Sequence, residues 1–588
     1  MQKMIDLITG EVMKAFEKAG FDSQYGKATL SNRPDLCEYQ CNGALALAKQ
    51  YKMAPIMIAN KVAETLKNNG TFEQVDAVAP GFLNLKVSKQ YLKDYVNQMV
   101  TADKFGYELT KAPMTVIVDY GGPNVAKPLH VGHLRPAIIG ESVKRTLRYA
   151  GNKVIGDIHL GDWGLPMGLV ITELQARQPE LVYFDESYTG EYPTEAPCTV
   201  SELEEIYPYA SKKSKEDPEY KERAMTATFK LQSGVRGYRA LWKHILDISV
   251  KDLKENYKKL DVEFDWWKGE SDVHDLIGRL VDTLKSGGYA YISQGALVVD
   301  VKEETDTKEI PPCMILKSDG ASLYNTTDLA TIMYRMETVS PDKMIYVVDK
   351  RQDLYFDQVF RCARKTKLVK PETELFFLGF GTMNGKDGKP FKTRDGGVMR
   401  LENLMGEIRD EMFKKIMEGH PTDEEEAHKI ANTVALSAVK YGDLSNQANK
   451  DYIFDMERFT SFEGDTGPYI LYTIVRIKSI LKKYEEQEKK IIKTEIAVPD
   501  NEAEKALLLE MTKFGSVIQS ACDEIAPHKI CAFIYDIANA FNKFYHETKI
   551  LTEQDEEKKA GWIALLALTQ RLLETCIDLL GFEAPDRM

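Results

Sequence analysis

Apolar and polar positions follow three successive patterns along the chain. At 3–20 and 42–67 apolar side chains recur every three or four residues, as in Ile5, Ile8, Val12 and Phe16, and predict amphipathic helices. Shorter strand-like runs such as GFLNLKV (81–87) accompany them, so 1–110 reads as a small α+β unit with the linker-like KFGYELTKAPM (104–114) at its end. From Thr115 the runs become continuously apolar: TVIVDY, KVIGDIHL, ALVVDV, MIYVV and ELFFLGF, separated by helical stretches. Such runs predict strands of a parallel sheet covered on both faces, hence a doubly wound α/β domain over 111–445. Charge-rich helical patterns at about 170–260 interrupt it as an insertion. Beyond 446 the strands stop, and helical patterns at 466–493, 501–524, 528–549 and 555–580 predict an all-α bundle.

Composition narrows the class without choosing a function. A chain of 588 residues exceeds one core and implies about three or four domains. The net charge of −13 argues against a protein that coats nucleic acid through a basic surface, and no DNA partner is expected. No apolar run approaches about 18 residues, and the amphipathic N-terminus lacks the continuous apolar core of a secretory signal. Eight cysteines form no framework, and Cys37 and Cys41 have no second pair to complete a zinc site. The expectation is a cytoplasmic protein with ordinary thiols and no membrane partner.

Chemistry concentrates at the first strand-to-helix turn, VIVDYGGPNVAKPLHVGHLRPAIIG (116–140), which holds two of the nine histidines beside Lys127 and Arg135. Leu134, Ile138 and Leu147 share a helical face, Gly151 fits a C-cap, and Pro136 is tolerated only in a first turn. The helix therefore begins near His133, and KVIGDIHL completes a βαβ unit. A helix N-terminus after a glycine-containing turn at the end of a parallel strand attracts anions. Neither a GxGxxG nor a Walker lysine motif is present, so imidazoles and Lys127 would face the anion. The same two histidines could instead cap the helix and pack beneath the loop.

PNVAKPLHVGH resembles the HxGH nucleotide signature of class I aminoacyl-tRNA synthetases, and Asn124 with Lys127 makes it similar to the arginyl-tRNA synthetase family. HLGDWG (159–164), FDWWKGES (264–271), LYNTTD (323–328), GKDGKPFKTRDGG (385–397) and the terminal GFEAPDRM agree with that resemblance, which spans the chain. It implies a multidomain α/β protein. A class I nucleotide-binding (Rossmann-like) catalytic domain would stand between an N-terminal α+β domain that contacts the tRNA elbow and an all-α anticodon-binding bundle. It also implies ATP with Mg²⁺, L-arginine and tRNA(Arg) as partners, no zinc, a monomer, and bound tRNA before the adenylate forms. Two other readings stay open: a different class I synthetase, or a tRNA-binding protein with a decayed site.

The decayed-site reading comes from the second class I signature, KMSKS, which falls on PFKTR (390–394), with Thr393 where a lysine is usual. In arginyl enzymes with that change the lysine before the histidines is thought to compensate, here Lys127. The resemblance thus gives a catalytic group of Lys127, His130, His133, Lys392 and Arg394. ATP would lie against His130, Gly132, His133, Gly381 and Lys389. Arginine needs planar acceptors for its guanidinium. The resemblance gives Tyr324 and Asp328 that role, with Asp119, Asn124 and Gln352 on the α-amino and carboxylate end and His159 in the same crevice. By residue chemistry alone Asp328 is equally an N-cap, Trp163 is as well suited to a core, and any cationic substrate would fit. For tRNA, the helix 471–494 carries seven basic against three acidic residues. The family pattern adds Phe82 and Asn84 at the elbow and Tyr469, Tyr545 and Met588 at the anticodon.

Overall fold

The short antiparallel strands β1 (Thr29–Leu30), β2 (Tyr39–Cys41), β3 (Phe72–Val78) and β4 (Phe82–Val87) form the N-terminal sheet, in the order β1-β2-β4-β3. They are seen in a computed structural model that describes residues 1–67, 69–127, 129–389, 399–419, 423–488 and 494–588. The helix Met4–Lys18 covers this sheet's unit with Ile8, Val12 and Phe16 buried as the spacing predicts, while Met4 is buried and the expected Ile5 only half-buried. Met1–Thr110 groups with Phe462–Asp578 and Glu583–Met588 into one compact unit. Inside it the buried Lys505 pairs with Glu38 at 2.5 Å and Glu73 at 2.7 Å.

The second unit is Lys111–Ser461 with Leu579–Phe582. Its strands are β5 (Thr115–Asp119), β6 (Lys153–Leu160), β7 (Trp266–Gly269), β8 (Ala290–Ser293), β9 (Ala296–Val299), β10 (Cys313–Leu316), β11 (Lys343–Asp349), β12 (Glu374–Phe380), β13 (Met383–Asn384) and β14 (Tyr452–Ile453). A five-stranded parallel sheet runs β12-β11-β5-β6-β7. Val116, Ile117 and Val118 are fully buried at its centre, as a strand covered on both faces requires.

One expected strand lies elsewhere. ALVVDV joins the separate antiparallel sheet β10-β9-β8, where Leu297, Val298 and Val299 are buried against the core. Burial on both sides produces the same unbroken apolar run in either kind of sheet. The fifth parallel strand is instead the edge strand β7, only four residues long and half-buried, so no apolar run marks it. The insertion is helical: Val200–Glu216, Pro218–Gln232 and Arg236–Lys259.

Candidate active site

The turn after β5 brings the two histidines together by backbone geometry. Val131–His133 forms a short 3₁₀ turn that leads into the helix Leu134–Tyr149. The Gly132 amide donates to His130 Nδ1 at 3.1 Å, and the His130 amide donates to His133 Nδ1 at 3.1 Å. An Nδ1 that accepts an amide proton leaves the neutral ring's own proton on Nε2. The rings lie 3.8 Å apart. Burial, His130 and the Lys127 charge hold His133 down to about 3, and burial with Lys127 holds His130 below its ordinary value. Both imidazoles are therefore neutral donors at a helix N-terminus, suited to an anion that needs hydrogen bonds without a fixed counter-charge.

Loop and second strand interlock. The Val125 amide donates to the Gly161 carbonyl at 3.0 Å and the Gly161 amide to the Pro123 carbonyl at 3.1 Å. A Cβ on Gly161 would stand 2.2 Å from Asn124 Oδ1, so a side chain there would displace the Asn124 amide. Ala126 sits at φ 65°, a left-handed conformation costing about 1–3 kcal/mol in a residue with a Cβ, immediately before Lys127.

The chain that returns from the second signature pairs with the histidine turn. The Val131 amide donates to the Met399 carbonyl and the Leu401 amide to the Leu129 carbonyl, both at 3.0 Å. Lys392 and Arg394 lie outside the described residues. Lys389 is exposed on the stretch before them. Gly381 is buried, its amide donating to Ala448, and a Cβ there would stand 2.4 Å from the Lys450 carbonyl oxygen. Arg135, two residues after His133, is only 2% exposed. Its Nε donates to Asp443 at 2.8 Å, and Nη1 donates to the carbonyls of Gly381 at 2.6 Å and Lys450 at 3.0 Å.

A carboxylate cluster occupies the crevice at the strand ends. Asp119, closing β5, pairs with Arg335 at 2.5 Å, and Arg335 also holds Asp157 at 2.6 Å. Asp328 stands four residues into the helix Tyr324–Thr338, so it is not the N-cap; its carboxylate accepts from the Tyr355 hydroxyl. Burial pushes Asp328 above the usual carboxyl range, against the pull of His159 and Tyr355. Sequence reasoning missed Glu270, which burial, Asp162 and Asp328 push up to about 8. It lies in FDWWKGES beyond the short β7, where no local pattern distinguishes it from a surface acid. Tyr324 remains 61% exposed and neighbours Glu270, while Gln352 is exposed beyond the end of β11. Both ring nitrogens of His159 are buried and make no hydrogen bond among the described residues. Trp163 takes the core role, packed against Trp242 at 5.2 Å and beneath Arg239 at 4.4 Å.

Comparison with known proteins matches 95–456 to the model for tRNA synthetases class I (R), catalytic domain. Residues 3–87 match the arginyl tRNA synthetase N terminal domain and 470–588 the DALR anticodon binding domain. The chain is 63% identical over 597 residues to an arginine–tRNA ligase of Agathobacter rectalis, covering 100% of both chains. The chain belongs to the arginyl-tRNA synthetase family. A second arginine–tRNA ligase, of Alkaliphilus oremlandii, is 56% identical over 588 residues with both chains fully covered. The fold agrees with a crystal structure of arginyl-tRNA synthetase from Plasmodium falciparum at a TM-score of 0.80 and 24% identity, each chain covered in full.

The family's expected RNA-facing positions are spread over the first unit. Leu83 and Leu85 of β4 are buried while Phe82 and Asn84 lie on the other face, and Asn84 accepts from Gln40 Nε2 at 2.9 Å. The Tyr469 hydroxyl donates to Asn539 at 2.8 Å and accepts from Asn542 at 2.9 Å. Tyr545 stacks on Phe541 beside Arg476, and Met588 is half-exposed.

Proposed function

We propose that this chain joins L-arginine to its cognate tRNA in two steps, as a cytoplasmic monomer. ATP lies over the first strand-to-helix turn, its phosphates facing the Nε2–H groups of His130 and His133, with Gly132 allowing close approach and Lys127 beside them. Gly381, Lys389, Lys392 and Arg394 border the triphosphate from the second loop. The arginine carboxylate oxygen attacks the α-phosphorus, the bond to the bridging oxygen breaks, and pyrophosphate leaves with that electron pair. The tRNA 3′-terminal 2′-OH then attacks the arginyl carbonyl and AMP departs. No side chain becomes covalently attached, so catalysis rests on positioning and charge stabilisation.

Mg²⁺ is expected to arrive on the triphosphate, since it favours phosphate oxygens and retained waters over a protein cage. Among the described residues no group of three or more His, Cys, Asp or Glu could hold a metal ion. Asp119, Asn124, Gln352 and His159 would hold the α-amino and carboxylate end of arginine. Phe82 and Asn84 would meet the tRNA elbow, and Tyr469, Tyr545 and Met588 the anticodon. These contacts correspond to an N-terminal domain over 1–110, a catalytic domain over 111–445 and an anticodon domain over 446–588.

The observation that carries this reading is the acid cluster of Asp328 and Glu270 beside the exposed Tyr324. Arg335, its buried cation, is already held by Asp119 and Asp157. A planar substrate cation is what the remaining two carboxyl groups lack. The test is loading of total tRNA by the pure protein with each amino acid, alongside arginine-dependent ATP–pyrophosphate exchange with and without tRNA. Exclusive loading of arginine is expected, with exchange requiring tRNA; loading of another amino acid, or none, would refute the reading.

A pH prediction follows from Glu270. Its folded value of about 8 lies above its ordinary 4.5, so free enzyme carries this proton across that window and fold stability falls as pH rises through it. A guanidinium favours the ionised form and expels the proton. The KM for arginine should therefore fall with rising pH, by up to about tenfold per unit, and level off near pH 8. Glu270→Gln should remove that breakpoint; a wild-type profile in the variant would exclude this role.

A further inference from the structure

The insertion helix Val200–Glu216 reaches the nucleotide side of the site with two side chains one turn apart. Lys127 Nζ stands 4.5 Å from the centre of the Tyr207 ring. Glu204 pairs with Arg400 at 2.7 Å, and Arg400 bridges to His130 through the backbone. This helix thus touches both the loop before the histidines and the strand that returns from the second signature. Tyr207 also lies within electrostatic reach of Tyr324.

The helix is well placed to hold a neighbour still. Thr199 and Glu202 form a reciprocal capping box at its start. Leu203, Ile206 and Ala210 bury one face, and Ala210 packs with Leu169, Tyr220 and Ala224. Glu204 and Tyr207 project from the adjoining face on a rigid element, whereas Lys127 rides on a loop with a long flexible stem. Left alone, that ammonium would sample many rotamers, each a loss of pre-organisation for a phosphate ligand.

We propose that Tyr207 is a positioning residue for Lys127, its ring face restraining the ammonium beside the histidine turn where the triphosphate is bound. This rests on the reading above, in which Lys127 faces ATP. The aromatic face attracts the cation without neutralising it, so the full charge stays available to phosphate. An acidic partner would have competed with the substrate.

The test is ATP–pyrophosphate exchange by the full-length enzyme with tRNA, for Tyr207→Leu, Tyr207→Phe, Lys127→Ala and Tyr207→Leu combined with Lys127→Ala. Tyr207→Leu should lower kcat/KM for ATP by about 3- to 10-fold while the KM for arginine stays within about twofold. Tyr207→Phe, which keeps the ring face, should restore most of the loss. Added to Lys127→Ala, Tyr207→Leu should cost less than about twofold further, because residues acting through one another are not additive. An undiminished penalty in the Lys127→Ala background, or a Phe variant as poor as Leu, would overturn the inference. So would a change confined to the KM for arginine. If Lys127→Ala impairs exchange and Tyr207→Leu does not, the inference alone falls. If Lys127→Ala leaves exchange intact, the role given to Lys127 falls with it.

Discussion

His133→Ala is expected to slow arginyl-adenylate formation by about 10²–10³-fold, the loss typical of one pre-organised donor to a developing charge. The imidazole is neutral, its Nδ1 is occupied by the His130 amide, and its Nε2–H is left for the substrate. It needs no reorganisation to donate, because the tilted contact with the His130 ring and the helix start hold it in place. Alanine would remove the donor and leave the backbone turn intact, so the fall should appear in kcat more than in the KM for ATP. Pyrophosphate exchange in the presence of tRNA measures it, with thermal melting to confirm an intact fold. A loss below about tenfold would mean that the histidines serve as helix caps.

Arg135→Met is expected to destabilise the catalytic unit by about 3–5 kcal/mol, because it strands the buried carboxylate of Asp443. Asp443 would keep its hydrogen bond from the Tyr452 hydroxyl at 2.8 Å, which does not balance a charge. The guanidinium also closes the carbonyls of Gly381 and Lys450, tying the histidine helix to the end of β12 and the approach to β14. Arg135→Lys should recover little, since a point ammonium does not reproduce that fork. Pairing Arg135→Met with Asp443→Leu should recover part of the loss. Urea titration of the catalytic unit's transition decides it, and a shift below about 1 kcal/mol would contradict the clamp.

How much of this was legible beforehand differs from element to element. The histidine turn could be read because its signals are local: an apolar strand, glycines in the turn, Pro136 confined to a first turn and Gly151 past the end. The helix at Leu134 starts where those signals place it. Asp328 could be read two ways, and its position inside the helix excluded the cap. Arg135 shows the opposite case. In sequence it is only a cation beside two histidines, because its partner Asp443, which makes it a buried clamp, lies 308 residues away. Glu270 carries no local mark at all; its proton affinity comes from burial, and then from Asp162 and Asp328, which meet it only at the strand ends.

By itself the sequence determined the order of domains, the parallel α/β core, the start of the histidine helix and, through its long motifs, the family. Those properties depend on periodicity, turn chemistry and capping, which act over a few neighbouring residues. Tertiary structure alone decided that ALVVDV leaves the parallel sheet, that Arg135 faces inward, that Glu270 holds its proton and that Tyr207 meets Lys127. Each of these depends on burial and on charges brought together from distant parts of the chain, and no local pattern encodes either.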